Sequence, residues 1–165
     1  MRIGILSDTH DNLGMVDTAV RQLNRERVDL VLHAGDYVSP FVIPRLANLH
    51  SPMIGVVGNN DGDHQLLAAR FAEHEGLSLR GGFATVTAGG MCIGLLHGDD
   101  RELLQGLIGR KAFDVVVHGH THKAEVREFG ATLVVNPGEA CGYLTGKPTI
   151  AVIDTSNRDV ELLSL

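Results

Sequence analysis

The sequence predicts an α/β fold in which two mixed β-sheets pack face to face with helices on the outside. Three observations carry that expectation. Short runs rich in Val, Ile and Leu recur along the chain, each stopped by Gly, Asp, Asn or His. Most are continuous apolar runs rather than alternating ones, the pattern of strands covered on both faces. The first half interleaves these runs with helix-period segments, which favours parallel pairing, whereas the second half carries hairpin signals. The chain has 165 residues, 44% of them hydrophobic. A chain of this size buries roughly 70% of its unfolded surface, so a single domain over residues 1–165 has core enough without cross-links.

The elements run in order along the chain. Ile3–Leu6 is a strand, and after it Leu13, Val16, Ala19, Val20 and Leu23 keep a helical period. Leu30–Leu32 is the second strand. Phe41–Leu49 reads as a helix with Pro44 in its first turn, where a missing N–H is tolerated. Met53–Val57 is the third strand, and Leu66, Leu67, Arg70 and Phe71 mark a shorter helix. Phe83–Thr87 and Met91–Leu96 flank Ala88-Gly89-Gly90 as a hairpin. A helix at Arg101–Arg110 leads into a strand at Val115–Val117. Val126–Phe129 with Leu133–Asn136 forms a second hairpin around Gly130-Ala131. Ile150–Asp154 with Val160–Leu163 forms a third around Thr155–Asp159.

Composition narrows the function. Twenty acidic against fourteen basic residues leave a formal charge of −6, which disfavours holding nucleic acid or anionic membrane by bulk charge. No apolar stretch is long enough to span a membrane, and the N-terminal apolar run is too short for a signal peptide. A cytoplasmic location is therefore expected. Cys92 and Cys141 make neither a disulfide framework nor a Cys-x-x-Cys pair. Glycine is abundant at 20 residues, and nine histidines include three within five positions, His118, His120 and His122. Together they point to a site built on loops at strand ends.

The segments just after the strands are the informative feature. Ile3–Leu6 leads into Ser7-Asp8-Thr9-His10-Asp11-Asn12, and Leu30–Leu32 into His33-Ala34-Gly35-Asp36. Met53–Val57 leads into Gly58-Asn59-Asn60-Asp61, Cys92–Leu96 into His97-Gly98-Asp99, and Val115–Val117 into His118-Gly119-His120-Thr121-His122. Open α/β sheets place their ligands at the C-terminal ends of strands. Asp8 and His10 are two apart, as are His120 and His122, so extended backbone would point each pair the same way. Each element alone is weak, since Gly-Asp and Gly-Asn are ordinary turn pairs. The order and spacing of all five carry the reading.

Carboxylate, imidazole and amide oxygen without thiolate describe a site for borderline divalent metals. Two ions held about 3.5–4 Å apart need a bridging anion and further ligands on each side. Asp36 is the natural bridge, with Asp8, His10, Asn59, His97, His120 and His122 supplying the rest. Two bound divalent cations would also allow an acidic chain to receive an anionic phosphate ester.

In this order the motifs resemble those of the calcineurin-like metallophosphoesterases, whose signature runs Asp-x-His, Gly-Asp, Gly-Asn-(His), His and Gly-His-x-His. The resemblance extends from Ser7 to about Gly138. The short length, the Gly-Asn-x-Asp form and Asn136-Pro137-Gly138 are most similar to the small single-domain phosphodiesterases of the YfcE type. The resemblance implies the αββα metallophosphoesterase sandwich. It assigns Asp8, His10, Asp36 and His122 to one metal, and Asp36, Asn59, His97 and His120 to the other. Manganese is the foremost candidate, with Fe, Zn, Ni and Co as alternatives. The implied activity is phosphodiester hydrolysis by a hydroxide bridging the two ions, acting on a small phosphoester. Asp36, Asn59, Asn60 and Asp61 form the candidate catalytic set.

The departure from the family pattern is Asn60, where many members carry a histidine assigned to the leaving-group proton. An amide donates a hydrogen bond but is no proton acid, so leaving groups of low pKa should be favoured. Asp61 either orients a site group or caps the helix before Gln65–Phe71. His33 reads as a group behind Asp36 or as a buried strand-end residue. Asn12 and Asp11 read as substrate neighbours or, more simply, a helix cap. His118 is excluded from the metal set by the resemblance alone. Lys147 lies in a Gly-Lys pair without the spacing of a phosphate loop. Two other functions share the fold: a non-catalytic protein-binding scaffold, which the full ligand set disfavours, and a nuclease, which the charge disfavours. Strand edges in the second half offer a route to self-association.

Overall fold

The computed structural model describes all 165 residues. In chain order the elements are β1 (Arg2–Leu6), α1 (Leu13–Arg25), β2 (Leu30–His33), a 3-10 turn (Pro40–Val42) running into α2 (Ile43–Leu46), β3 (Met53–Gly55), α3 (His64–Ala72) and β4 (Leu77–Leu79). Then come β5 (Phe83–Ala88), β6 (Met91–Leu96), α4 (Arg101–Gly109), β7 (Val115–Val117), β8 (Glu125–Phe129), β9 (Thr132–Asn136), β10 (Thr149–Asp154) and β11 (Asp159–Ser164). They build two mixed sheets. One has six strands in the order β11-β10-β1-β2-β3-β4, the other five in the order β5-β6-β7-β9-β8.

The parallel strands lie side by side within each sheet. β1, β2, β3 and β4 pair in parallel, as do β6, β7 and β9. Their registers align the strand ends, with Leu6 opposite His33 and His33 opposite Gly55, and Leu95, Val117 and Val135 in a second row. Every loop that leaves these ends therefore emerges on one side of the molecule.

Both faces of the parallel strands are covered, which is why their sequences are continuously apolar. Ile3, Ile5, Leu30 and Leu32 point toward the second sheet and meet Val86, Ile93, Leu95, Val115, Val117, Leu133 and Val135. Their neighbours Leu6, Val31 and Met53 point the other way, onto Val16, Ala19, Val20 and Leu23 of α1 and onto Val42, Ile43, Leu46, Leu67 and Phe71. Each such side chain contributes about 1.5–3 kcal/mol by leaving water. The second sheet has a thinner cover, Ile108 of α4 packing on Leu96, Val116 and Val134. Strand β5 alternates, because its outer face meets solvent at a sheet edge.

Several boundaries differ from the sequence expectation. The helix expected over Phe41–Leu49 is a 3-10 turn and a single α-turn. Pro40 opens the first and Pro44 is the second residue of the other, so neither segment has an interior long enough to extend. The strand expected over Met53–Val57 ends at Gly55, and the helix expected to reach Arg110 stops at Gly109, with Arg110 as its cap. Strand β4 has no counterpart in the sequence expectation, since only Leu77-Ser78-Leu79 marks it. The C-terminal hairpin crosses to the first sheet, where β10 pairs antiparallel with β1.

Candidate metal centre

Six parallel strands, three from each sheet, deliver the site. Asp8 and His10 leave β1, Asp36 leaves β2, Asn59 lies after β3, His97 after β6, and His120 and His122 after β7. Glu139 comes after β9. Backbone hydrogen bonds continue past the strands and lock these loops together. Asp8 N donates to Gly35 O and His10 N to Asp36 O, both at 3.1 Å, and Gly119 N donates to His97 O at 2.9 Å. The loops approach too closely for side chains at two glycines. A Cβ on Gly119 would overlap Ser7 Oγ and lie 2.6 Å from Asp8 Oδ2, and one on Gly58 would lie 2.7 Å from Asp36 N.

Extended backbone, expected to align Asp8 with His10 and His120 with His122, is not what joins them. All four, and Asp36, sit in the left-handed region; Asp8, His10, His120, His122 and Asp36 have φ of 54°, 40°, 65°, 60° and 61° respectively. Side chains converge because the backbone turns back at these residues, not because a strand alternates. Asp, Asn and His tolerate this region better than most residues, yet each such position costs about 1–3 kcal/mol. Val38, β-branched and at φ 76°, lies on the same loop as Asp36. Strain is thus gathered at the site.

The convergent atoms are carboxylate oxygens, an amide oxygen and imidazole nitrogens facing one another. His97 Nδ1 lies 2.8 Å from Ala34 O, and a carbonyl only accepts, so the ring proton is on Nδ1. Its Nε2 faces Asn59 Oδ1, 3.0 Å away, and Asp36 Oδ2, 3.3 Å away. His122 repeats the pattern. Its Nδ1 lies 2.7 Å from Glu139 Oε2, and its Nε2 faces Asp8 Oδ1 at 3.4 Å. His10 Nε2 is 3.7 Å from Asp8 Oδ1 and 3.4 Å from Asp36 Oδ2. Asp8 Oδ1 and His10 Nε2 are buried with no hydrogen-bond partner. Groups so arranged need a proton or a cation between them, and the donor set suits a divalent metal. Asp36 Oδ2 is the atom common to the His10 and His97 sides.

Electrostatics report the same demand. Interaction with the Asp8 carboxylate raises the pKa of His10 above the usual value, with Asp36 adding to it against burial. Burial pulls His97 down, but Asp36 outweighs it and the net shift is upward. Burial would raise Asp36, yet His97 and the hydrogen bonds from Asn60 hold it well below the usual carboxylate range.

The predicted residues are not all equally placed. Asp8, His10 and His122 form one tight group and Asp8, Asp36 and His97 another, ligand atoms within 4.8 Å of one another. Asn59 joins through His97. His120 stands further off, its ring edge-on to His97 at 5.1 Å, with its backbone N donating to Asp8 Oδ2 at 3.2 Å. Asn60 grips Asp36 twice, donating from Nδ2 to Oδ2 at 2.8 Å and from its backbone N to Oδ1 at 2.9 Å.

Asp61 is not the helix cap; Asp63 is, accepting from Leu66 N at 2.9 Å. Asp61 instead accepts from Gly58 N, Val38 N and Asp36 N at 2.7, 2.8 and 3.2 Å, fixing the strained loop that carries Asp36. Burial raises its pKa. His33 is fully buried against Tyr37 and accepts from Gly35 N at 3.1 Å; burial, then His97, lowers its pKa to about 3. Asn12 caps α1. His118 is buried beside Gly119 and Asn136 and belongs to none of the convergent groups.

Two further residues outside the candidate site set support the site. Glu139 is fully buried, and although burial opposes its ionisation, hydrogen bonds from His122, Thr145 and Leu144 hold its pKa at about 2. Asn136 donates to Gly119 O and Thr121 Oγ1 at 2.9 and 3.0 Å and so braces the His120–His122 loop. The motif Asn136-Pro137-Gly138 points to this segment only through the family resemblance, and it stops one residue short of Glu139.

Paired mixed sheets with Asp, His and Asn gathered at one edge of both define a metallophosphoesterase. The chain belongs to the calcineurin-like phosphoesterase superfamily, whose domain model matches residues 1–158, and that family implies use of divalent metal. Its relative "Phosphodiesterase MJ0936" of Methanocaldococcus jannaschii is 40% identical over 159 residues, covering 96% of each chain. A solved archaeal phosphodiesterase superposes with a TM-score of 0.95 at 39% identity, over the whole of both chains. Yfce, a phosphoesterase from E. coli, shares the fold at a TM-score of 0.74, 18% identity and 99% coverage of each chain.

Proposed function

We propose that the protein is a phosphodiesterase that works with two divalent cations, one on each side of Asp36. The observation that carries this is the set of three imidazole Nε2 atoms, of His10, His97 and His122, turned toward Asp8 Oδ1 and Asp36 Oδ2. Asp8, His10, Asp36 and His122 would hold one cation, and Asp36, Asn59, His97 and His120 the other. Such ions supply a water of lowered pKa and positive charge for the phosphoryl oxygens.

The chain's own residues divide the remaining work. Asp61 holds the turn that presents Asp36. Asn60 fixes both oxygens of Asp36 and has no proton to give a leaving group. No side chain at the site is an evident general acid, so the leaving alcohol departs as its anion or takes a proton from water. Activated diesters, with leaving groups of low pKa, are therefore the preferred substrates. The relatives' phosphodiesterase activity supports the substrate class, and the net charge of −6 fits a small phosphoester better than a polynucleotide.

The test is metal reconstitution and then a panel of phosphomonoesters, phosphodiesters and cyclic nucleotides. Hydrolysis of aryl diesters with manganese, faster than of aryl monoesters, is expected. No hydrolysis with Mn, Fe, Zn, Ni or Co would overturn the reading.

A further inference from the structure

The geometry points to Glu139 as a positioning residue that couples cation binding at Asp8, His10 and His122 to the order of the Gly142–Lys147 loop. The inference rests on reading that trio as a metal site. Glu139 is fully buried, and its two oxygens face in two directions. Oε2 takes the Nδ1–H of His122 at 2.7 Å and also accepts from Cys141 Sγ at 3.2 Å. Oε1 accepts from the Thr145 hydroxyl at 2.7 Å and from the Thr145 backbone N, and Leu144 N reaches Oε1 at 3.1 Å and Oε2 at 3.0 Å.

The loop has little else to hold it. Residues Tyr143 to Lys147 are exposed and outside any helix or strand. Its main other internal tie is Lys147 N donating to Thr145 Oγ1 at 3.1 Å, and that hydroxyl is itself bound to Glu139. The loop starts at Cys141, whose backbone N donates to Asp8 O at 3.1 Å and whose O accepts from Asn12 Nδ2 at 2.8 Å. Its base is thus fastened to the residue that His122 faces. Its tip carries Tyr143 and Leu144, 62% and 74% exposed.

One carboxylate therefore serves both ends. By accepting the hydrogen bond from Nδ1–H, Glu139 leaves the Nε2 lone pair of His122 for a cation, the outer partner a metal-bound imidazole needs. A cation at Nε2 polarises the Nδ1–H and tightens its bond to Oε2, which restrains the carboxylate that the loop amides grip. Coupling of this kind is reciprocal: anchoring the loop strengthens cation binding by the same factor.

Manganese titration by calorimetry and amide hydrogen exchange together test this. In the wild-type protein, Mn²⁺ should slow exchange at Leu144 and Thr145. In Glu139→Gln, one of two Mn²⁺ affinities should fall about 10–100-fold with the other unchanged, and the exchange response should disappear. Thr145→Val keeps the carboxylate and loses only the hydroxyl, so it should weaken the same affinity several-fold. If Glu139→Gln does not fold, Thr145→Val and the wild-type exchange data decide. Unaltered affinities in the folded variants, or loop exchange indifferent to Mn²⁺, would overturn the inference. A wild-type protein that binds no Mn²⁺ at all would instead bring down the metal-site reading at the first titration, and the coupling with it.

Discussion

The two sides of the site are built differently. On one side Asp8 and His122 are buried and His10 nearly so, and His122 is backed by the carboxylate of Glu139. On the other side Asn59 is exposed, His120 is half-buried, and His97 is backed by the neutral carbonyl of Ala34. A carboxylate behind an imidazole makes it a stronger ligand than a carbonyl does. On the proposed two-cation reading, the enclosed side would keep its cation and the open side would exchange a ligand for substrate. Asp36 belongs to both, so a change at that shared oxygen should erase the difference between them.

Asp36→Asn should have the largest effect. It removes the charge common to both sides, so both cations should be lost and diester hydrolysis should fall by roughly 10³-fold. The measurement is kcat alongside metal content. Asn60→His probes the open side by placing a proton donor where the amide of Asn60 stands. It should raise turnover of alkyl diesters by about 10–100-fold and change aryl substrates little, which a plot of rate against leaving-group pKa would show.

A smaller effect concerns the protein stripped of metal. Asp8 raises His10 and Asp36 raises His97, so their folded pKa values exceed the ordinary 6.5. Their charged forms stabilise the fold fully below pH 6.5, and that contribution is lost as pH rises through the raised values. With chelator present, Tm should therefore decline as pH rises above about 6.5. With Mn²⁺ present it should rise over the same interval, because the cation competes with those protons.

Much of this is legible in the sequence because strand ends announce themselves. A Val/Ile/Leu run followed within a few residues by Asp8, Asp36, Asn59, His97 or His120 marks both an element and the group it delivers. The features that stay hidden depend on long-range pairing or on backbone turns. Three residues, Leu77-Ser78-Leu79, are too few for a pattern to show β4. Nothing local tells the C-terminal hairpin to join β1 rather than its chain neighbours. The two-residue spacing of Asp8 and His10 is informative for the wrong reason, since left-handed turns bring them together. Glu139 lies 17 residues beyond His122 in a Gly-Glu pair that resembles an ordinary turn, and its role needs the fold.

The most direct test of the two-sided site is calorimetric titration of the metal-free protein and two variants with Mn²⁺. The wild type should bind two ions with clearly unequal affinities. His122→Ala should abolish the tighter event and His120→Ala should weaken only the looser one. A single binding event in the wild type, or equal losses from the two variants, would contradict a site with one enclosed and one open side.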